Sequence, residues 1–128
     1  IRIERNLVFP TSLIQLKYLE LSFNEIEHLS DRLFQNLKNL ELMRLNQNPI
    51  KSFDGSPFKN LKKLSFLLIG YNYLDSLGFL SNAGFFDNLK TLQFNKGTLR
   101  DINELKKFSK LESLDLNRHN LSMITDGL

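Results

Sequence analysis

An eleven-residue pattern recurs five times along the chain, and no other feature limits its fold as strongly. LKYLELSFNEI at 16–26 is followed by LELMRLNQNPI at 40–50, LSFLLIGYNYL at 64–74, LKTLQFNKGTL at 89–99 and LESLDLNRHNL at 111–121. Each copy is apolar at its first, fourth, sixth and eleventh places. The ninth place holds Asn24, Asn48, Asn72, Gly97 and His119. Start-to-start distances are 24, 24, 25 and 22 residues. Residues 1–15 read as a partial copy, with Ile1, Ile3 and Asn6 at the fourth, sixth and ninth places. A fixed period of this length marks a solenoid, because one such unit cannot bury its apolar face alone.

Places four and six are two apart, the spacing of side chains on one face of a strand. One short strand per repeat, stacked on the next, makes a parallel sheet with strands about 4.8 Å apart. The second half of each repeat must return behind that sheet. Leu29, Phe53, Leu77, Ile102 and Ile124 fall thirteen residues after each start, and Phe34 and Phe58 fall eighteen after. These residues fill the space between the two walls. The ninth-place Asn sits where the strand bends away and leaves backbone groups unpaired. Its amide supplies both donors and an acceptor for them. Asn6, Asn24, Asn48, Asn72 and, by substitution, His119 are therefore expected to form a structural ladder.

The pattern resembles the leucine-rich repeat, LxxLxLxxNxL, across the whole chain. LFQNLKNL and PFKNLKKL resemble the 24-residue subclass of extracellular animal proteins, among them Toll-like receptor ectodomains. The resemblance implies an α/β solenoid: a right-handed horseshoe with a concave parallel sheet and an irregular or 3-10 convex side. It also implies recognition of a protein ligand or co-receptor, receptor dimerisation, and an extracellular or cell-surface location. The stretch GFLSNAGFFDN at 78–88 departs from the period and is expected to be an irregular convex loop, with Phe85 or Phe86 continuing the Phe column. Ile1 and Leu128 both fall inside repeat patterns, so 1–128 is expected to be one segment of a longer solenoid.

Places three, five, seven and eight face outward on the concave sheet. Tyr18, Phe23, Leu42, Phe66, Leu68 and Tyr71 gather in the middle repeats, with Glu20, Arg44, Gln93, Lys96, Asp115 and Arg118 among and beside them. An apolar, aromatic centre with a charged rim is the anatomy of a protein interface. Two lysine clusters, Lys59, Lys62 and Lys63 and then Lys106, Lys107 and Lys110, precede the third and fifth strands. They offer phosphate contacts to a polyanion or nucleic acid, or simply a solvated rim. Asn120-Leu121-Ser122 is an acceptor sequence for N-glycosylation at Asn120.

Composition narrows the chemistry. The chain has no cysteine, so disulfides, thiolate metal sites and Cys nucleophiles are excluded. A formal net charge of +3 demands no nucleic acid by itself. No apolar run reaches the ~18 residues of a membrane helix, so direct membrane insertion is not expected. EIEH at 25–28 lacks a metal-ligand context, the glycines are scattered, and no Ser/His/Asp arrangement is legible. No catalytic residue, metal or cofactor is expected. An intracellular scaffold remains as a third reading, consistent with the absence of cysteine.

Overall fold

The computed structural model describes residues 3, 4, 6–94 and 102–117. Each repeat contributes one short strand to the concave side: β1 (Tyr18–Glu20), β3 (Leu42–Arg44), β5 (Phe66–Leu68), β6 (Thr91–Gln93) and β7 (Ser113–Asp115). They form one parallel sheet in the order β1-β3-β5-β6-β7. Tyr18, Leu42, Phe66, Thr91 and Ser113 lie opposite one another in register. Repeats of unequal length therefore keep one concave register, and the convex side absorbs the difference. The ladder continues past the strands, as in Leu45 N–H to Leu68 C=O and Gln47 N–H to Gly70 C=O.

Behind the sheet, β2 (His28–Leu29) and β4 (Ser52–Phe53) pair in parallel as a second, two-stranded sheet. The rest of the convex side turns through short 3-10 segments at Thr11–Leu13, Gly78–Leu80 and Asn103–Lys107. It contains no α-helix among the described residues. The irregular stretch at 78–88 is the 3-10 turn Gly78–Leu80 followed by further turns.

Leu40, Met43, Leu45, Leu64, Leu67, Ile69, Leu89 and Leu92 are buried against the convex wall. Phenylalanine forms that wall. Phe9, Phe34, Phe58, Phe85 and Phe108 make a continuous file, with successive ring centroids 6.0, 6.0, 6.0 and 5.9 Å apart. Phe85, rather than Phe86, carries the file through the irregular repeat, and Phe86 packs edge-on against Phe108 at 5.1 Å. Gly84 permits this close packing. Its N–H donates to the Phe58 carbonyl, and a Cβ there would collide with the Lys59 carbonyl oxygen.

The Asn column stitches the bends together. Asn48 donates from Nδ2 to the carbonyls of Leu45 (3.0 Å) and Leu21 (2.9 Å), and its Oδ1 accepts the Ile26 N–H (3.1 Å). Asn72 repeats the set with Ile69, Leu45 and Ile50. Asn24 donates to Leu21 C=O at 2.9 Å. Asn6 departs from the column: it is exposed and makes no such bond. It lies in the Glu4–Leu7 turn, closed by Leu7 N–H to Glu4 C=O, instead of at the end of a packed strand. His119 lies outside the described residues.

One backbone feature is not written in residue type. Phe23, Gln47 and Tyr71, all at the eighth place, have φ of 58°, 58° and 56°. The left-handed conformation costs roughly 1–2 kcal/mol for an L-residue other than Gly. Each precedes a ladder Asn, and the corner it makes turns that Asn back toward its own strand. The bonds of the Asn hold the strained corner in place.

Candidate recognition face

The outward row Tyr18–Leu42–Phe66 runs across three adjacent strands in strict register. Alternation on a strand sends these side chains away from the core. Tyr18 is 66% exposed and Phe66 40%, while Leu42 between them is half-buried. Phe23 is 79% exposed at the left-handed corner after β1. Leu68 and Tyr71 are half-buried. Tyr73, one place past the ladder Asn, is 69% exposed. The outward-facing pattern of places three, five, seven and eight does not include it.

Polar groups occupy the neighbouring rows. Arg44 lies 3.7 Å from Glu20 across the β1–β3 pair. Glu20 also accepts the Ser22 N–H at 2.8 Å. Partial burial pushes the Glu20 carboxyl up, but hydrogen bonds from Ser22 and the nearby Arg44 outweigh it and hold the group below its ordinary value. Asn46 donates to Gln93 Oε1 at 3.0 Å and accepts the Gly70 N–H at 2.7 Å. Gln93 in turn donates to Asp115 Oδ2 at 3.3 Å. Between these rows lies a shallow depression of about 440 Å³, bounded by Phe23, Arg44, Asn46, Leu68 and Gln93. It combines an apolar floor with an aromatic edge and amides whose geometry is already fixed. Lys96, Arg118 and Asn120 lie outside the described residues.

The convex side holds one constellation that the sequence alone does not reveal. His28 Nδ1 lies 2.7 Å from Ser52 Oγ, and its Nε2 lies 2.9 Å from Asp54 Oδ2. The second approach is not aligned as a hydrogen bond. The three residues meet because β2 and β4 stack His28 on Ser52, and they clip one repeat to the next. No group of three or more His, Asp or Glu side chains among the described residues could hold a metal ion. No helix there is long and apolar enough to cross a membrane.

The leucine rich repeat family profile matches residues 14–74. No curated protein sequence gives a significant match. Among solved structures, the fold is similar to TLR13 in its complex with ssRNA13, with a TM-score of 0.62, 24% identity, and coverage of 82% of this chain and 18% of that one. It is also similar to an internalin, InlF, from Listeria monocytogenes, with a TM-score of 0.63, 27% identity, and coverage of 87% and 37%. The chain thus spans well under half the length of either protein. Repeat, sheet register, Asn column and the family match over 14–74 agree: the chain carries the leucine-rich-repeat fold.

Proposed function

We propose that the concave face binds a protein partner and that the chain belongs to an extracellular or cell-surface receptor of Toll-like type, acting by recognition and not by catalysis. The observation that carries this reading is the exposed row Tyr18–Leu42–Phe66 with Phe23 beside it. Exposed apolar patches of several large side chains are uncommon on soluble proteins unless they meet something. Aromatic residues on a rigid frame lose little conformational freedom on binding. The 24-residue period and the structural likeness to TLR13 support the Toll-like assignment. Receptor dimerisation through neighbouring repeats belongs to the same reading.

The test is a screen of the protein against an array of secreted and cell-surface ectodomains, run in parallel with the Phe23→Ser/Phe66→Ser variant and an Arg32→Ser control on the convex side. The reading expects a partner retained by the control and lost by the concave variant. A partner bound equally by all three proteins would place recognition elsewhere. Mass spectrometry of the natively produced protein for an N-glycan on Asn120 tests the compartment separately.

A further inference from the structure

The turn that ends β4 carries a reactive dipeptide that the recognition face does not use. Asp54 is followed by Gly55, and both are exposed. An aspartyl carboxyl can be attacked by the backbone nitrogen of the next residue, which closes a cyclic imide. Glycine obstructs that attack least, because it places no Cβ beside the nitrogen. The nitrogen must also be available. Asp54 N–H is held by Leu29 C=O at 2.9 Å, but Gly55 N–H has no partner among the described residues. Its φ of +52° marks the point where the chain leaves the β2–β4 ladder.

The preceding repeat brackets this dipeptide with two groups suited to proton transfer. On one side, His28 Nε2 lies 2.9 Å from Asp54 Oδ2. The other ring nitrogen, Nδ1, is 2.7 Å from Ser52 Oγ. A bare lone pair on Nε2 would repel the carboxylate oxygen. The favoured neutral tautomer therefore carries its proton on Nε2 and accepts the Ser52 hydroxyl at Nδ1. Nε2 is buried and makes no aligned hydrogen bond, so its proton is not committed elsewhere. On the other side, Asp31 packs on Gly55: a Cβ built there would lie 3.2 Å from Asp31 Cβ and 3.7 Å from Asp31 Oδ2. An acid thus faces the carboxyl, and a base stands beside the glycine. The β2–β4 register, which sets His28 opposite Ser52, places both. A cavity of about 250 Å³, lined in part by Ser30, Asp31, Arg32 and Asp54, leaves room for water alongside.

We infer that Asp54–Gly55 is a self-modification site, at which the folded chain converts Asp54 to isoaspartate with the help of His28 and Asp31. Asp54 reacts in its acid form. Gly55 N bonds to Asp54 Cγ, and the Cγ–Oδ2 bond breaks. His28 Nε2 gives its proton to the departing hydroxyl, which leaves as water. Asp31 takes the amide proton, and solvent returns it to His28. Water then adds to the imide. Addition at Cγ restores aspartate; addition at the Asp54 backbone carbonyl leaves the chain running through the side chain. The product carries its carboxylate directly on Cα and an extra carbon in the chain. The contact with His28 opens at the end of β4, while the concave strands on the opposite wall keep their register.

The test ages the full chain at neutral pH in heavy-oxygen water and follows the tryptic peptide 52–59 by liquid chromatography and mass spectrometry. Each imide opening takes up a heavy-oxygen atom, and isoaspartate shifts the retention of the peptide. The same incubation in urea gives the rate for the unfolded chain. The expected result is isoaspartate at Asp54 in the folded protein at least as fast as in urea. Folded His28→Gln and folded Asp31→Asn should each react roughly tenfold more slowly or less, as the loss of a proton-transfer group requires. In urea the three proteins should age alike. A purely structural His28 gives a different result: its loss would loosen the turn and bring the folded rate to the urea value, not below it, and that outcome overturns the proposal. So does the absence of isoaspartate from the folded protein over a period that converts the unfolded chain. Thermal unfolding verifies that each variant is folded at the ageing temperature, and Asp31→Asn, which keeps the shape of the side chain, carries the test if His28→Gln does not fold.

Discussion

Asn46 and Gln93 are joined side chain to side chain at 3.0 Å, although an entire repeat lies between them. The intervening residue at the place of Asn46 is Gly70, which has no side chain to block the span and gives its N–H to Asn46 Oδ1. Gln93 passes the connection to Asp115. A polar cord thus runs over four repeats on the concave surface and bounds the depression beside Phe23 and Leu68. Gln93→Ala should cut the cord at a modest cost to stability, about 1 kcal/mol for a half-buried neutral hydrogen bond. In the ectodomain screen, it should weaken a concave partner while leaving the unfolding midpoint nearly unchanged. Loss of both together would show that the substitution acts on the fold.

Asn48→Ala removes an amide that serves Leu45, Leu21 and Ile26 in a buried bend. Each buried backbone group left without a partner costs about 1–3 kcal/mol. The expected loss is about 3 kcal/mol or more in urea unfolding. A loss under about 1 kcal/mol would mean that water enters the bend and replaces the amide.

Gln47 isolates the left-handed corner, because its own side chain is exposed. Gln47→Gly relieves the steric cost but frees the unfolded chain. The two effects nearly cancel, leaving a change within about 1 kcal/mol. Gln47→Val places a β-branched side chain at positive φ and should destabilise by about 2 kcal/mol. If valine and glycine gave equal unfolding midpoints, the corner would not be strained.

Gly84→Ala drives a methyl group into the Lys59 carbonyl, a backbone atom that cannot move aside. A loss of about 1–3 kcal/mol is expected, in line with overpacking elsewhere. At Gly78 the nearest atom to an added Cβ would be Ser76 Oγ at 3.4 Å, an ordinary contact. Gly78→Ala should therefore be neutral or slightly stabilising. Differential thermal unfolding of the pair reads the contrast directly.

The Glu20 carboxyl titrates below its ordinary value because hydrogen bonds from Ser22 and the Arg44 charge outweigh its burial. A depressed carboxylate contributes stability above its unfolded value, and that contribution fades as pH falls through the folded one. The side chain is more than half exposed, so the contribution is small. Ser22→Ala should move the Glu20 titration upward in an NMR pH series, while the backbone N–H bond keeps it from returning fully. An unchanged titration would remove Ser22 from the account.

Much of the fold was legible because the repeat forces it. Places four and six fix the strand face, and the ninth-place Asn has few other uses at a buried bend. The Phe file was legible at Phe34 and Phe58, where spacing is regular. The choice of Phe85 over Phe86 was not, because it depends on the close approach of Gly84 to the Phe58–Lys59 backbone. The left-handed corners were hidden for a related reason. Glycine would have announced them, and Phe23, Gln47 and Tyr71 do not. On the concave face, alternation gives the direction of Tyr18 and Phe66. The half-burial of Leu42 and Leu68 comes from neighbours on adjacent strands, which a linear pattern cannot rank. The Ser52–His28–Asp54 contact was hidden because no residue type marks β2 and β4 as a second sheet.

The ladder amides have a direction. Asn48 completes a bend whose N–H belongs to Ile26, and Asn72 completes the one at Ile50. Both of these bends are thus closed by a residue that is synthesised about a full repeat later. On a ribosome, each of the two emerges open, and its unmet donor is satisfied only when the next strand arrives. Interruption between Asn48 and Asn72 leaves the bend at Ile50 raw, while the one at Ile26 is already sealed.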